Sequence, residues 1–105
     1  MTPFTEKVIR IIQSIPEGKV MTYGSIAFAA GSPRGARQVV RILHSMSQKH
    51  NLPWHRVVNI KGMISLTEDE SNSMQKLLLL GEGIVFNEKN IIDLTIFQYD
   101  PDLTD

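Results

Sequence analysis

Two short helical patterns separated by a glycine limit the fold more strongly than any other stretch of the chain. Thr22 provides an N-cap for the first helix, which we expect to end at Gly31. Ser32 and Pro33 repeat the start signal, with serine as the cap and proline at the first helical position. The second helix is expected to run to about Ser45. Two short helices joined by a glycine-containing turn are typical of a helix-turn-helix.

The rest of the chain predicts two more helices and a small hairpin. Apolar residues at helical spacing predict a helix over Phe4–Ile15 and another over about Ser71–Leu80. The segment Trp54–Asn59 is rich in β-forming residues, and Met63–Leu66 is expected to return as the second strand of a hairpin. We therefore expect a mostly α fold with a small β-hairpin, forming a single domain over residues 1–105.

Composition excludes several kinds of function. The chain contains no cysteine, which excludes disulfides, thiolate metal sites and thiol catalysis. Its histidines (His44, His50 and His55) include no pair three or four residues apart, so a zinc site is not expected. No apolar run approaches the length of a membrane span, and charged residues interrupt the amino terminus where a signal peptide would be apolar. We expect a cytoplasmic protein without a metal, another cofactor or membrane attachment.

The net charge of zero conceals two halves of opposite sign. Residues 1–61 hold nine lysines and arginines against two acids, a net charge of +7, whereas residues 62–105 hold two bases against nine acids, a net charge of −7. A basic half of this kind suits a polyanionic partner. Two solvated faces of opposite sign explain the counts equally well, so the arrangement of the arginines has to decide.

Three arginines recur along the second helix of the expected helix-turn-helix. Arg34, Arg37 and Arg41 fall at positions i, i+3 and i+7, apart from the apolar stripe that contains Val39 and Ile42. Like charges on one stripe repel each other in the free protein, and phosphates would relieve that repulsion. An ordinary solvated arginine face is the alternative. The helix-turn-helix context favours nucleic-acid binding.

Two aromatic residues each allow two interpretations. Tyr23, close to the arginine stripe, either packs in the core or meets a phosphate with its hydroxyl, and the local sequence does not choose. Trp54 lies in LPWHRVV, residues 52–58, where an indole either fills the core or offers an apolar plate for a ligand. His55 and Arg56 would alternate across the expected strand, so one of them would point inward and need a polar partner.

The sequence PWHRVV resembles the active-site motif Pro-Cys-His-Arg-Val of the O6-alkylguanine-DNA alkyltransferases. Tryptophan replaces the alkyl-accepting cysteine, a substitution that marks the alkyltransferase-like proteins. The run MTYGSIAFAAGSPRGARQVVRIL resembles the family's helix-turn-helix, and the match extends from Phe4 to about Gly83. The resemblance implies the fold of the alkyltransferase C-terminal domain, a winged-helix-like DNA-binding domain.

The resemblance also implies roles for single residues. Tyr23 would press on a phosphate to rotate the target nucleotide out of the duplex, and Arg37 would enter the base stack to fill the gap. The helix carrying Arg37 would lie in the minor groove, and the charge of the arginine stripe adds Arg34 and Arg41 as expected DNA contacts. The flipped base would enter a lesion pocket, within which a glutamate orients the histidine; the residues implied are Pro53, Trp54, His55, Arg56, Val57 and Glu82.

The missing sulfur decides which chemistry to expect. Dealkylation in this family moves the alkyl group irreversibly to a cysteine sulfur, and this chain has no cysteine. The resemblance therefore implies a monomeric, non-catalytic protein that binds double-stranded DNA containing O6-alkylguanine, associates with the nucleoid and flags the lesion for nucleotide excision repair. Two rivals are a winged-helix transcription regulator that binds undamaged DNA and a hydrolase or glycosylase that uses His55 with Glu82. Neither rival explains why Trp54 occupies a Pro-x-His-Arg-Val motif.

Overall fold

The computed structural model of the protein describes residues 1–64 and 70–101. Helices dominate these residues, so the prediction of a mostly α fold is confirmed. In chain order the elements are α1 (Pro3–Ser14), β1 (Met21–Thr22), α2 (Tyr23–Ala29), α3 (Ala36–Met46), a 3₁₀ turn (Trp54–Arg56), β2 (Val57–Val58), α4 (Glu70–Gly81) and α5 (Leu94–Phe97). The predicted bounds of α1 and α4 agree with the structure to within one residue at each end.

Local capping accounts for the starts of α1 and α2. Thr2 accepts a hydrogen bond from the Thr5 amide at 3.1 Å, and proline follows it at the first helical position. At α2 the Thr22 hydroxyl accepts from the Ser25 amide while the Ser25 hydroxyl accepts from the Thr22 amide, both at 3.0 Å. This reciprocal capping box fixes the direction in which α2 leaves β1. Gly31, at a φ of +94°, ends the segment as predicted.

Helix α3 begins later than the sequence predicts. Ser32 is not its N-cap, because the Ser32 carbonyl accepts the Gly35 amide at 2.8 Å in a turn and Gly35 takes the capping position. Gly35 is buried, and a side chain there would approach the Phe4 ring to 3.0 Å. Packing against α1 therefore sets the start of α3 at Ala36. Helices α2 and α3 still form the predicted helix-turn-helix.

The small sheet differs from the predicted hairpin. Strands β1 and β2 pair in parallel, with Met21 opposite Val57 and Thr22 opposite Val58. Parallel strands need a long crossover, which the helix-turn-helix supplies here. Met63 and Ile64 do not form a strand, and the remainder of the predicted return strand lies outside the described residues.

The sheet separates two apolar clusters, because neighbouring residues of a strand face opposite sides. Met21 and Val57 point into the larger cluster, which α1, α2 and α3 complete. Val20 and Val58 point the other way, into a smaller cluster with Leu79 of α4 and two residues of the C-terminal segment, Ile84 and Ile92. The helix-turn-helix and α4 therefore lie on opposite sides of the sheet.

The turn after β2 is fixed to the C-terminal segment. The Asn59 carbonyl accepts the Gly62 amide at 2.9 Å, and the Gly62 carbonyl in turn accepts the Ile92 amide at 2.9 Å. The predicted turn at Lys61-Gly62 is therefore confirmed. Gly62 adopts a φ of +80°, which glycine tolerates better than any other residue.

We expect Gly62→Ala to lower the free energy of unfolding by about 3 kcal/mol or more, because backbone strain and a steric clash both contribute. An added Cβ would lie 2.3 Å from the Ile92 carbonyl oxygen. Gly31→Ala is the matched control, since its φ is also positive but no atom lies within 4 Å of the added Cβ. The control should lose only about 1–2 kcal/mol in urea denaturation. Equal losses for the two variants would contradict the clash.

Candidate nucleic-acid interface

The arginines predicted to bind DNA lie at the exposed surface of the helix-turn-helix. Arg37 and Arg41 are exposed on α3, one helical turn apart, while the opposite face of α3 buries Val39 and Ile42. Arg34 is exposed too, but it lies in the turn before α3, so the three arginines do not share one helical stripe. Within residues 1–64 and 70–101, none of these arginines forms an ion pair with an acid. This surface therefore keeps uncompensated positive charge that suits a polyanion.

Tyr23 packs partly in the core, which is one of the two roles that the sequence left open. It is the first residue of α2, directly after the capping residue, and it is partly buried. Its side chain packs against the larger cluster. Packing against the core limits the rotamers of the ring, which favours a fixed position for the residue at the start of the helix-turn-helix.

The segment predicted to be a strand begins instead with a tight turn. Pro53 precedes it, the Arg56 amide donates to the Pro53 carbonyl at 3.0 Å, and the residue after Arg56 donates to the Trp54 carbonyl. Only Val57 and Val58 are extended. Because the chain turns at Trp54–Arg56, the expected alternation of His55 and Arg56 across a strand is wrong.

Trp54 is neither a plain core residue nor a surface residue. Its side chain is partly buried and packs against the larger cluster. The indole meets the His55 ring edge-on, with centroids 6.1 Å apart and planes at 84°. Pro53 beside it is also partly buried, whereas Val57 is only 1% exposed. Val57 therefore supports the turn from the core and offers no side chain to a ligand.

One carboxylate holds both polar side chains of the turn. Glu82 accepts from His55 Nε2 at 2.7 Å, which is the contact implied by the family resemblance. Glu82 also accepts from Arg56 Nη2 at 2.7 Å and Nε at 3.0 Å, and from the Gly18 amide at 3.0 Å. The remaining guanidinium nitrogen of Arg56, Nη1, donates to the Ile15 carbonyl at 2.8 Å. The sequence did not predict that His55 and Arg56 share a partner.

The carboxylate of Glu82 is ionised over the whole neutral range. Burial opposes ionisation, but hydrogen bonds from Arg56, His55 and the Gly18 amide outweigh it and lower the pKa of Glu82 to about 2. An ionised carboxylate only accepts hydrogen bonds, so Nε2 of His55 carries the proton. The pair orients the imidazole without placing a nucleophile beside it, since the chain has no cysteine.

Gln75 is a further site residue that the sequence did not reveal. It lies on α4, 3% exposed, and its side-chain amide donates to the carbonyls of His55 and Val57, each at 3.1 Å. The available signal was weak, because the first half of α4 contains several polar residues, among them a second amide at Asn72, and nothing in the sequence distinguishes Gln75 from them.

No metal-binding cluster and no helix suited to span a membrane occurs among the described residues. Across residues 1–64 and 70–101, no three histidine, aspartate or glutamate side chains come together as a metal-binding group. Over the same residues, no helix combines the length and apolar character needed to cross a bilayer.

Known proteins resemble this chain in sequence and in structure. The family sequence model described as "6-O-methylguanine DNA methyltransferase, DNA binding domain" matches residues 3–84. A DNA base-flipping protein of Escherichia coli K12 is 45% identical over 96 residues, which cover 91% of this chain and 74% of that protein. Alkyltransferase-like protein 1 of Schizosaccharomyces pombe is 40% identical over 85 residues, which cover 80% of this chain and 79% of that protein.

The structural comparison extends the match to almost the whole chain. The crystal structure of S. pombe Atl1 in complex with damaged DNA containing O6-carboxymethylguanine superposes with a TM-score of 0.80 at 34% identity. The superposition covers 96% of this chain and 98% of the S. pombe chain. The similarity therefore includes the C-terminal segment that the family model leaves out.

The depressed pKa of Glu82 predicts a specific dependence of stability on acidity. Its ordinary value is 4.5 and its value in the folded protein about 2, so the stabilisation is fully present above pH 4.5 and is lost as the pH falls through about 2. The difference corresponds to about 3 kcal/mol. Urea denaturation of the natural protein and of Glu82→Gln should therefore give free energies of unfolding that converge as the pH falls from 7 towards 2. Parallel curves would show that ionisation of this carboxylate does not stabilise the fold.

Proposed function

Because this chain belongs to the 6-O-methylguanine DNA methyltransferase family, and within it to the alkyltransferase-like proteins, we propose that it binds double-stranded DNA containing O6-alkylguanine, turns the modified base out of the duplex and leaves the alkyl group in place. The observation that carries this proposal is the position of Trp54. Its partly buried ring begins the turn that Glu82 holds, at the place where related proteins keep the alkyl-accepting cysteine. The E. coli relative's designation as a base-flipping protein supports the same conclusion.

The helix-turn-helix supplies the attraction to DNA and part of the energy for extruding a base. Flipping a guanine costs a few kcal/mol, less when alkylation at O6 has weakened its pairing. Arg37 enters the stack and occupies the space that the base leaves, while Tyr23 presses on the neighbouring phosphate. Arg34 and Arg41 contact phosphates and give an attraction that does not depend on sequence and that weakens with salt.

The 3₁₀ turn supplies the pocket that receives the base. The indole of Trp54 and the ring of Pro53 form its apolar wall, against which an O6-alkyl group loses contact with water. Each Å² of apolar surface removed from water contributes about 25 cal/mol, so a larger alkyl group is tolerated where space permits. His55, oriented by Glu82, offers a polar edge to the base. Arg56 holds the turn, since its donors are already engaged by Glu82 and the Ile15 carbonyl.

The protein recognises the lesion without repairing it. Transfer of the alkyl group needs a thiolate, and neutral methionine thioethers are very weak nucleophiles by comparison. A second system must then remove the lesion. We expect the protein, acting as a monomer in the cytoplasm and bound to the nucleoid, to hand the lesion to nucleotide excision repair proteins.

Substitution of the two α3 arginines should separate lesion recognition from general DNA binding. Arg37→Ala is expected to weaken binding to an O6-methylguanine duplex by about 1–3 kcal/mol, the range for a good base contact, with little effect on the undamaged duplex. Arg41→Ala, the matched control one helical turn away, should weaken both duplexes alike and reduce the salt slope by about 1. Fluorescence anisotropy with labelled duplexes measures the affinity of each variant for the damaged and the undamaged duplex and its dependence on salt. Identical behaviour of the two variants would count against an intercalating Arg37.

The fate of the alkyl group tests the absence of repair. After incubation with a duplex carrying a radiolabelled O6-methyl group, we expect all label to remain on the DNA, because no residue of the chain accepts it. A cysteine-containing alkyltransferase is the positive control. Labelled protein would contradict the proposal, and release of the modified base would favour a glycosylase that uses His55 with Glu82.

A further inference from the structure

Gln75 is a buried polar side chain that donates hydrogen bonds to two backbone carbonyls, one in the 3₁₀ turn and one directly after it. Among the described residues only Thr22 and Gln75 are both polar and buried, and capping of α2 accounts for Thr22. The Gln75 amide nitrogen directs one hydrogen to the His55 carbonyl and the other to the Val57 carbonyl. Burial of an amide is unfavourable unless such bonds compensate it.

The positions of the His55 and Val57 carbonyls show which part of the backbone the Gln75 amide holds. His55 belongs to the 3₁₀ turn and Val57 begins β2, so the two carbonyls lie on either side of Arg56, where the turn passes into the strand. The amide of Gln75 donates to both carbonyls, as a neighbouring strand would donate to the carbonyls of an extended segment. It thereby fixes the peptide groups on both sides of Arg56, directly after Trp54 and His55.

Gln75 and Glu82 hold the same turn from one side of the molecule. Gln75 lies within α4, and Glu82 is the first residue after the helix ends at Gly81. Glu82 binds the side chains of His55 and Arg56, whereas Gln75 binds the backbone between and beside them. The hydrogen bonds of Glu82 therefore restrict the side chains of the turn, and those of Gln75 restrict its backbone.

We propose that Gln75 is a positioning residue for lesion recognition: by fixing the backbone of the turn, it aligns the Trp54 ring and the His55 imidazole before the modified base arrives. The inference rests on the proposed function of this site and adds a residue to it. A turn aligned in advance loses less conformational entropy when the base binds. The alignment therefore raises the affinity for the damaged duplex and leaves the affinity for undamaged DNA unchanged.

The test compares Gln75→Met with Leu79→Ala. Methionine keeps the length of the side chain and removes both donors, whereas Leu79, one helical turn along α4 and fully buried, packs in the smaller cluster without bonding the turn. Both variants lose stability, and only the first frees the two carbonyls. Trp54 is the only tryptophan of the chain, so acrylamide quenching of its fluorescence reports directly on the turn.

We expect Gln75→Met, measured well below its melting temperature, to lose about fivefold or more of the preference for an O6-methylguanine duplex over its undamaged twin. Quenching of Trp54 should increase in the same variant. Leu79→Ala should keep both properties at equal or lower thermal stability. If Gln75→Met does not fold, Gln75→Asn replaces it, since the shorter side chain cannot reach both carbonyls and should show the same changes to a smaller extent.

Two results would overturn the inference. One is a folded donor-free variant with natural lesion preference and natural quenching. The other is an equal loss of lesion preference in Leu79→Ala, which would show that only stability matters. If the natural protein itself shows no lesion preference, the proposed function fails, while the quenching comparison still decides whether Gln75 holds the turn.

Discussion

The carboxylate of Glu82 is the contact on which the candidate site depends. It joins three segments that are distant in sequence: the loop after α1 through the Gly18 amide, the 3₁₀ turn through His55 and Arg56, and the loop after α4, to which Glu82 belongs. Removing it would leave the guanidinium of Arg56 largely buried without its counter-charge, which is among the costliest changes in a protein interior. Ionised and mostly buried, it binds the two polar side chains at the centre of PWHRVV.

The residues that hold the 3₁₀ turn lie apart from the helix-turn-helix. The helix-turn-helix lies on one side of the two-stranded sheet, whereas Gln75 and Glu82 hold the turn from α4 and the loop that follows it, on the other side. In the proposed complex, DNA bound through Arg37 and Arg41 would meet a turn whose supports, Gln75 and Glu82, take no part in the DNA contact. In this arrangement an indole can replace a reactive thiol without disturbing the supports, because Glu82 and Gln75 bond to the neighbours of Trp54 and not to its side chain.

The sequence predicted the elements that local signals define and missed those that distant contacts define. The bounds of α1, α2 and α4 followed from caps and apolar spacing, and the contact between His55 and Glu82 followed from the family resemblance. The start of α3 was not predicted correctly, because Gly35 packs against the Phe4 ring and becomes the N-cap in place of Ser32. The prediction of a strand at residues 54–56 was wrong for a similar reason, since that turn is held by Gln75 of α4 and by Glu82 in the loop after it, both 20 or more residues further along the chain.

The central claim is that the modified base lies against an indole held ready for it. A crystal structure of the protein on a duplex containing O6-methylguanine tests this claim most directly. We expect the modified guanine outside the helix, its methyl group in contact with the Trp54 ring, and the Arg37 side chain in the vacated stack. A modified base that stays stacked in the duplex, or that is flipped to a site away from the 3₁₀ turn, would contradict the account.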